Sequence, residues 1–216
     1  MERFKTLKDH VYDYIAEQIR DGALLPDKRV NENVICEELN ISRTPVREAL
    51  IQLAAEGVLE NRARKGFVIK AMSHTDIKEI YAVIGVLDGY AAKLSCDNLT
   101  EQDYADMAFY IDAMELAINS GNYEMYYKQQ TTFHQLYINK CGNNTLIDTI
   151  AKTKNKLLKK TYIDDNDQTL KEVFAKTNNE HRKILELFKA KDTETLFHYI
   201  ADTHWMPDYA TYDMIV

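Results

Sequence analysis

Apolar residues recur at helical spacing along most of the chain, and only two short stretches suit β-strands. The pattern predicts helices over 4–21, 31–39 and 43–56, then strands over 58–61 and 67–70. From residue 73 onward, every segment is helical in pattern. The remaining predicted helices cover 73–96, 100–119, 122–140, 143–163, 167–189 and 192–212.

The order of these elements predicts a mainly α protein with two domains. Three helices followed by a hairpin over residues 1–72 are typical of a winged helix-turn-helix. Six helices with short connections over residues 73–216 predict an all-helical antiparallel bundle. A composition of only 7 Gly and 3 Pro in 216 residues favours long helices and argues against disorder.

The stretch SRTPVREAL, residues 42–50, has the pattern of a helix that reads DNA. Ser42 is a natural N-cap, and Pro45 lies in the first turn, where a missing N–H costs little. Arg43 and Arg47 are four residues apart and therefore share one face. A guanidinium can bond O6 and N7 of guanine together, and Thr44 can bond a phosphate or touch a thymine methyl group.

A second cluster of basic residues falls in the predicted hairpin. Arg62, Arg64 and Lys65 precede Gly66, and in a wing they would reach backbone phosphates or the minor groove. Residues 1–72 carry equal numbers of basic and acidic side chains, so the whole net charge of -7 lies in the bundle. The sequence therefore predicts one DNA-facing surface on an otherwise acidic protein.

Cysteine usage and hydropathy predict a cytoplasmic protein. The 3 cysteines are an odd number, lie far apart and show no CxxC spacing, so we expect reduced thiols. We expect no membrane association, because no stretch approaches the length of a membrane span.

The sequence resembles a known protein family in both predicted domains. The run ISRTPVREALIQLAAEGVLENRARKGFVIKAMS is similar to the winged-helix domain of GntR-family transcription factors, and the match spans about residues 5–72. The remainder resembles the FadR-like subfamily with an FCD-type domain. The segments DIKEIYAVIGVLDGYAAKLS, FHQLYINKCGNNTL and NNEHRKILELFKAKDTETL carry this second resemblance.

The resemblance implies a ligand-responsive transcriptional regulator, in most cases a repressor. It implies a homodimer that binds a palindromic double-stranded DNA operator, and a small effector bound in the helical domain. Carried onto this sequence, the DNA contacts fall on the recognition helix and the wing. The residues are Arg43, Thr44, Pro45, Arg47, Arg62, Arg64, Lys65 and Gly66.

The resemblance also implies a divalent metal, Zn or Ni, held in the bundle by His134, His181 and His204. The family's first ligand is an Asp or Asn four residues before the first histidine, where this chain has Gln130. The amide oxygen of glutamine is neutral and a weaker ligand. The remaining alternatives are a three-histidine centre, with water or effector in the open positions, and histidines that bond an effector directly.

A second departure concerns the last histidine. Thr203, not His204, occupies the position where the family places this ligand. A shift of one residue rotates an α-helical face by about 100°. The shift therefore puts the third ligand in doubt.

The effector site implied by the resemblance comprises Asp88, Gln130 and the three histidines. An organic acid or sugar acid is the implied ligand class. However, this chain has Ile84 where the family often has an arginine that would suit a carboxylate, and Asp88 where it often has glutamate.

Two other functional classes compete with regulation. A helical metal-dependent hydrolase could use the histidine cluster, but motifs such as HExxH, GxSxG and the P-loop are absent. We expect no carboxylate beside the histidines to act as a general base, although Glu180 precedes His181. A scaffold protein is the third class, and it leaves the basic wing unexplained.

Overall fold

The computed structural model describes residues 6–20, 23–25, 27–157 and 167–207. The chain divides into two units. The first extends to Ile77 and includes the end of the helix that closes at Lys156, and the second begins at Lys78. Within the described ranges, no helix is both long enough and apolar enough to cross a membrane.

The first unit has the predicted order of three helices and a hairpin. Its helices are α1 (Leu7–Arg20), α2 (Glu32–Leu39) and α3 (Arg43–Ala55), and its strands are β1 (Leu59–Arg62) and β2 (Gly66–Ile69). The strands pair antiparallel, with Leu59 opposite Ile69 and Arg62 opposite Gly66. An isolated bridge from Arg29 to Val68 extends the hairpin on its other side. The winged helix-turn-helix is thus confirmed.

The turn between α2 and α3 is set by local backbone chemistry. Asn31 caps α2 by accepting a hydrogen bond from the amide of Asn33. Asn40 ends α2 in the left-handed conformation, with φ of 51°, which asparagine tolerates better than most residues. Ser42 occupies the N-cap position of α3, but its side chain makes no capping hydrogen bond, contrary to expectation.

The core of the first unit fixes the orientation of α3. Val46, Leu50 and Leu53 of α3 are fully buried against Val11 and Ile15 of α1. Burial of each such side chain contributes about 1.5–3 kcal/mol, so one face of α3 is held firmly inward. The opposite face is left exposed to solvent.

The second unit is the predicted helical bundle. Its elements are α4 (His74–Ser95), α5 (Glu101–Ser120), α6 (Tyr123–Ile138), α7 (Asn144–Lys156), α8 (Asp167–Ala190), α9 (Thr193–His198) and a π-turn (Tyr199–His204). Helix α5 packs against α6 and α8. The prediction of one continuous α-helix over 192–212 is wrong, because the α-helix changes to a π-helical turn at Tyr199. The predicted ends at 163 and 212 lie outside the described residues.

Two glycines bring α4 unusually close to α9 and the π-turn that follows it. A Cβ atom added at Gly89 would lie 2.8 Å from the carbonyl oxygen of Phe197. A Cβ atom added at Gly85 would lie 2.9 Å from the carbonyl oxygen of Ala201. Both distances are too short for a real contact, so only glycine permits this approach.

We expect Gly89→Ala to destabilise the protein by about 1–3 kcal/mol, because the new methyl group overlaps a backbone oxygen that cannot move freely. Alanine normally stabilises a helix interior by about 0.5–1 kcal/mol relative to glycine, so the sign of the change is diagnostic. Denaturant unfolding measures it. The exposed Ala82 on the same helix provides the control, since Ala82→Gly should cost only the propensity difference. A stabilised Gly89→Ala protein would contradict the close approach.

Candidate functional site

The recognition helix presents two arginines on its exposed face. Arg43 is the first residue of α3, and Arg47 lies one turn later. Their side chains are 66% and 59% exposed, while Val46 and Leu50 on the opposite face are buried. The sequence-predicted pair is therefore presented to solvent together. Thr44 is exposed and Pro45 half-buried in the same first turn, where helix N–H groups favour an anion such as phosphate.

A carboxylate on α2 lies beside both arginines. Nε of Arg43 donates a hydrogen bond to Oε2 of Glu32 over 3.3 Å, and Nη1 of Arg47 lies 3.8 Å from the same oxygen. Glu32 is the first residue of α2, and its side chain is only 18% exposed. The sequence analysis did not identify Glu32 as a neighbour of the arginines.

The wing carries three basic residues in different environments. Arg62 forms ion pairs with Asp27 over 2.6 Å and with Glu60 over 2.8 Å, so its charge is already compensated. Arg64 and Lys65 are exposed at the turn, and neither has an ion-pair partner in the described part of the chain. Arg64 and Gly66 adopt positive φ angles of 64° and 75°, which form the tight turn. These two basic side chains are the ones available to a ligand.

The three predicted histidines meet inside the helical unit. His134 on α6, His181 on α8 and His204 on the π-turn are all buried. Nε2 of His134 lies 3.3 Å from Nε2 of His181 and 3.1 Å from Nε2 of His204. One ligand atom from each residue lies within 4.8 Å of the others, a geometry that could hold a metal ion.

The π-turn explains why His204 reaches the cluster in spite of its shifted position. The amide of Trp205 donates to the carbonyl of Ile200 over 3.0 Å, an i→i+5 bond in place of the α-helical i→i+4 bond. A π-turn accommodates one extra residue in the helix, and such turns often occur at functional sites. As a result His204 faces inward and Thr203 is exposed.

Two buried carboxylates lie beside the Nδ1 atoms of His134 and His204. Asp88 on α4 accepts hydrogen bonds from the Tyr137 hydroxyl over 2.6 Å and from Nε1 of Trp205 over 2.9 Å. Nδ1 of His134 lies 2.6 Å from the Tyr137 oxygen and 3.1 Å from Asp88. The expectation that no carboxylate lies beside the histidines is therefore wrong, because contacts between distant helices leave no local signal in the sequence.

The second carboxylate belongs to Glu180. Its Oε2 lies 3.0 Å from Nδ1 of His204, and both side chains are buried. Glu180 and His181 are adjacent on α8, and both are directed into the bundle. Glu180 is the residue that sequence reasoning noted only as a neighbour of His181.

Hydrogen-bond partners surround the Nδ1 atoms of His134 and His204. Tyr137 donates its hydrogen to Asp88, so its oxygen is left to accept from Nδ1 of His134, and Glu180 accepts from Nδ1 of His204. Burial, and then the neighbouring His204 and His134, lower the pKa of His181 well below its ordinary value. An imidazole that donates from Nδ1 carries its lone pair on Nε2, and Nε2 of His134 faces Nε2 of both His181 and His204. Lone pairs that converge in this way fit a cation placed between them.

Further polar residues occur on α6 and α8, the helices that carry His134 and His181. Gln130 is half-buried on α6, one turn before His134. On α8, Nδ1 of His181 and Oδ1 of Asn178 are buried and have no hydrogen-bond partner among the described residues. A polar ligand or ordered water would satisfy such atoms.

Family comparisons agree with both units. Residues 7–69 match the model of the bacterial regulatory proteins of the gntR family. Residues 79–202 match the model of the FCD domain. Together the two matches include the candidate recognition helix, the wing, His134 and His181, while His204 lies two residues beyond the second match.

Individual relatives show the same architecture. The chain is 26% identical over 184 residues to the HTH-type transcriptional regulator YdhC of Bacillus subtilis, covering 85% of this chain and 81% of the relative. It is 30% identical over 142 residues to a probable D-xylose utilization operon transcriptional repressor of Paenarthrobacter nicotinovorans, covering 66% and 62%. The structure of McbR/YncC from E. coli superposes with a TM-score of 0.79 at 24% identity, covering 97% and 98% of the two chains, and so shares the fold.

Proposed function

We propose, because the chain belongs to the GntR family of bacterial regulatory proteins and carries an FCD domain, that it represses transcription by binding a palindromic operator as a homodimer. Its relatives are transcriptional regulators and not enzymes, so the alternative of a metal-dependent hydrolase is set aside. A regulator of bacterial genes acts in the cytoplasm, where the DNA is. The observation that carries the proposal is the exposed arginine pair at the start of α3.

The arrangement of charges supports two kinds of DNA contact. Arg43 and Arg47 share the exposed face of the second helix of a helix-turn-helix, the position that enters the major groove. Arg64 and Lys65 at the wing are suited to phosphates, since they are exposed and have no ion-pair partner in the described ranges. Arg62, which is paired with two carboxylates, contributes less.

We expect Arg47→Ala to weaken binding to the operator by about 10- to 100-fold, because a bidentate contact to guanine contributes about 1–3 kcal/mol of discrimination. Binding to random DNA should change much less. The operator can be recovered by selection from a random DNA library with the purified protein, and fluorescence anisotropy then measures both affinities. Equal losses on both DNAs would mean that Arg47 contacts only the backbone.

Lys65→Ala provides the matched contrast. A lost phosphate contact should weaken both DNAs alike and reduce the slope of log K against log salt by about 0.9. A changed sequence preference in Lys65→Ala would contradict its assignment to the backbone.

The homodimer is supported by exposed apolar side chains on the helical unit. Val83, Val86 and Tyr90 lie on one face of α4 and are 51%, 54% and 46% exposed. Phe109 and Leu116 on α5 are 65% and 68% exposed, two turns apart. Apolar patches of this kind mark protein contacts, and a twofold axis would place the same surface of a second copy against them.

We expect Val86→Glu to shift the protein from dimer to monomer in sedimentation velocity experiments, because the dimer would bury an unpaired charge. Leu116→Glu tests α5 in the same way. Met125→Glu, on α6 and 39% exposed, is the control and should leave the dimer intact. If both Val86→Glu and Leu116→Glu remain dimeric, the interface lies elsewhere.

In this proposal His134, His181 and His204 hold a divalent Zn or Ni ion in the helical unit. Their Nε2 atoms converge, and imidazole nitrogens are donors that these metals prefer. When bound, the metal would offer open coordination positions to an oxygen of an organic acid or sugar acid effector. Gln130, Asp88 and the unsatisfied atoms of Asn178 and His181 lie on the helices that would bound such a ligand.

We expect the metal-free protein to bind one zinc or nickel ion per chain and to be stabilised by it. At a free metal concentration of 100 times Kd, the gain is about 2.7 kcal/mol. His204→Ala removes one ligand and should weaken binding by at least about tenfold in isothermal titration calorimetry. His198→Ala, exposed on the preceding turn, is the control. Unchanged affinity in His204→Ala would rule out the three-histidine site.

A further inference from the structure

The contact between Glu32 and the recognition arginines is the feature that the proposed function leaves unexplained. A protein that attracts DNA places an acidic side chain at the centre of its attracting surface. Glu32 is held there by its position as the first residue of α2, where the helix dipole favours a negative charge. Its side chain is mostly buried, so it does not simply extend into solvent.

The hydrogen bond to Glu32 limits the Arg43 side chain without occupying its terminal nitrogens, while Nη1 of Arg47 lies 3.8 Å from the same oxygen, beyond hydrogen-bonding distance. Glu32 accepts its hydrogen bond from Nε of Arg43, which leaves both terminal nitrogens of that guanidinium available. A bidentate contact to guanine uses two donor groups at one edge of the fork. A side chain that is already held in the orientation needed for base contact also loses less conformational entropy when DNA binds.

The same carboxylate disfavours the competing mode of binding. On random DNA, arginines turn toward phosphates, which are negative at every position along the duplex. In that mode the guanidinium groups would leave Glu32 unpaired and close to phosphate charge. Like-charge repulsion of this kind discriminates against a wrong partner rather than strengthening the right one.

We propose that Glu32 is a positioning residue that gives the arginine pair its sequence specificity, by holding Arg43 and Arg47 toward base edges and away from phosphates. This inference rests on the proposed role of the two arginines in reading DNA. Arg43 and Arg47 touch the bases, and Glu32 acts through them.

Glu48 provides a matched control. It carries the same charge, lies next to Arg47 on α3, is exposed, and has no ion pair among the residues that the structure describes. Glu32→Gln and Glu48→Gln therefore change the net charge of the same surface equally. Only the first removes the charge of an acid that forms an ion pair with the arginines. Both variants should remain folded, since glutamine has the size of glutamate and keeps an oxygen that accepts hydrogen bonds, and thermal unfolding checks this.

The experiment is selection of DNA from a random double-stranded library with the full-length wild-type protein and the two variants, followed by affinity measurements on the selected and on random DNA. We expect Glu32→Gln to lose base preference at the positions read by the arginine pair and to bind random DNA more tightly. Its ratio of specific to random affinity should fall about tenfold, and its salt slope on random DNA should steepen by about 1. Glu48→Gln should raise both affinities alike and keep the wild-type base preference.

The possible failures are distinguishable. If the wild-type protein enriches no sequence, the proposed function itself is wrong. If the wild type enriches an operator and Glu32→Gln enriches the same bases with an affinity ratio like that of Glu48→Gln, the proposed function stands and the inference about Glu32 is overturned.

Discussion

The helical unit depends on the burial of one charged group, the carboxylate of Asp88. It has no exposed surface, and a buried charge is tolerated only when hydrogen bonds replace the lost water. Tyr137 of α6 and Trp205, next to the π-turn, supply those bonds, and His134 is the third neighbour. Satisfying Asp88 therefore fixes α4, α6 and the π-turn in one arrangement, and that arrangement brings the imidazoles together.

Carboxylates have a similar part in both units, although the groups they orient differ. Asp88 and Glu180 face the Nδ1 atoms of His134 and His204 and leave the Nε2 lone pairs for a cation. Glu32 faces Nε of Arg43 and leaves the terminal donors for another partner. In each case an acid that does not itself meet the ligand determines which atoms of its neighbour are available. Such supporting groups are often as important as the contacting residues.

The sequence predicted the helices and strands well, and the residues that support the arginines and histidines poorly. Helices and strands follow from apolar periodicity, and α3 was placed to within one residue because Ser42, Pro45 and the buried stripe all indicate it. The histidines were found through the resemblance to a family. Asp88 was assigned to an effector, and Glu32 was not identified. Their partners are 49 and 11 residues away along the chain, and no local pattern reports contacts at such separations.

The π-turn shows why a helical pattern alone could not place His204. Counting by α-helical turns puts Thr203 in the inward position, and the count fails because the backbone forms an i→i+5 bond at Ile200. A π-turn is wider than an α-helix, so its neighbour must approach without side-chain bulk. Gly85 and Gly89 of α4 meet that need, since an added Cβ at Gly85 would lie 3.0 Å from Cβ of Trp205. One packing constraint therefore links the extra residue of the π-turn, the glycines Gly85 and Gly89, and the Trp205 indole that donates to Asp88. A change at Gly85 would disturb His204 through the backbone of the π-turn, without contact between the two side chains.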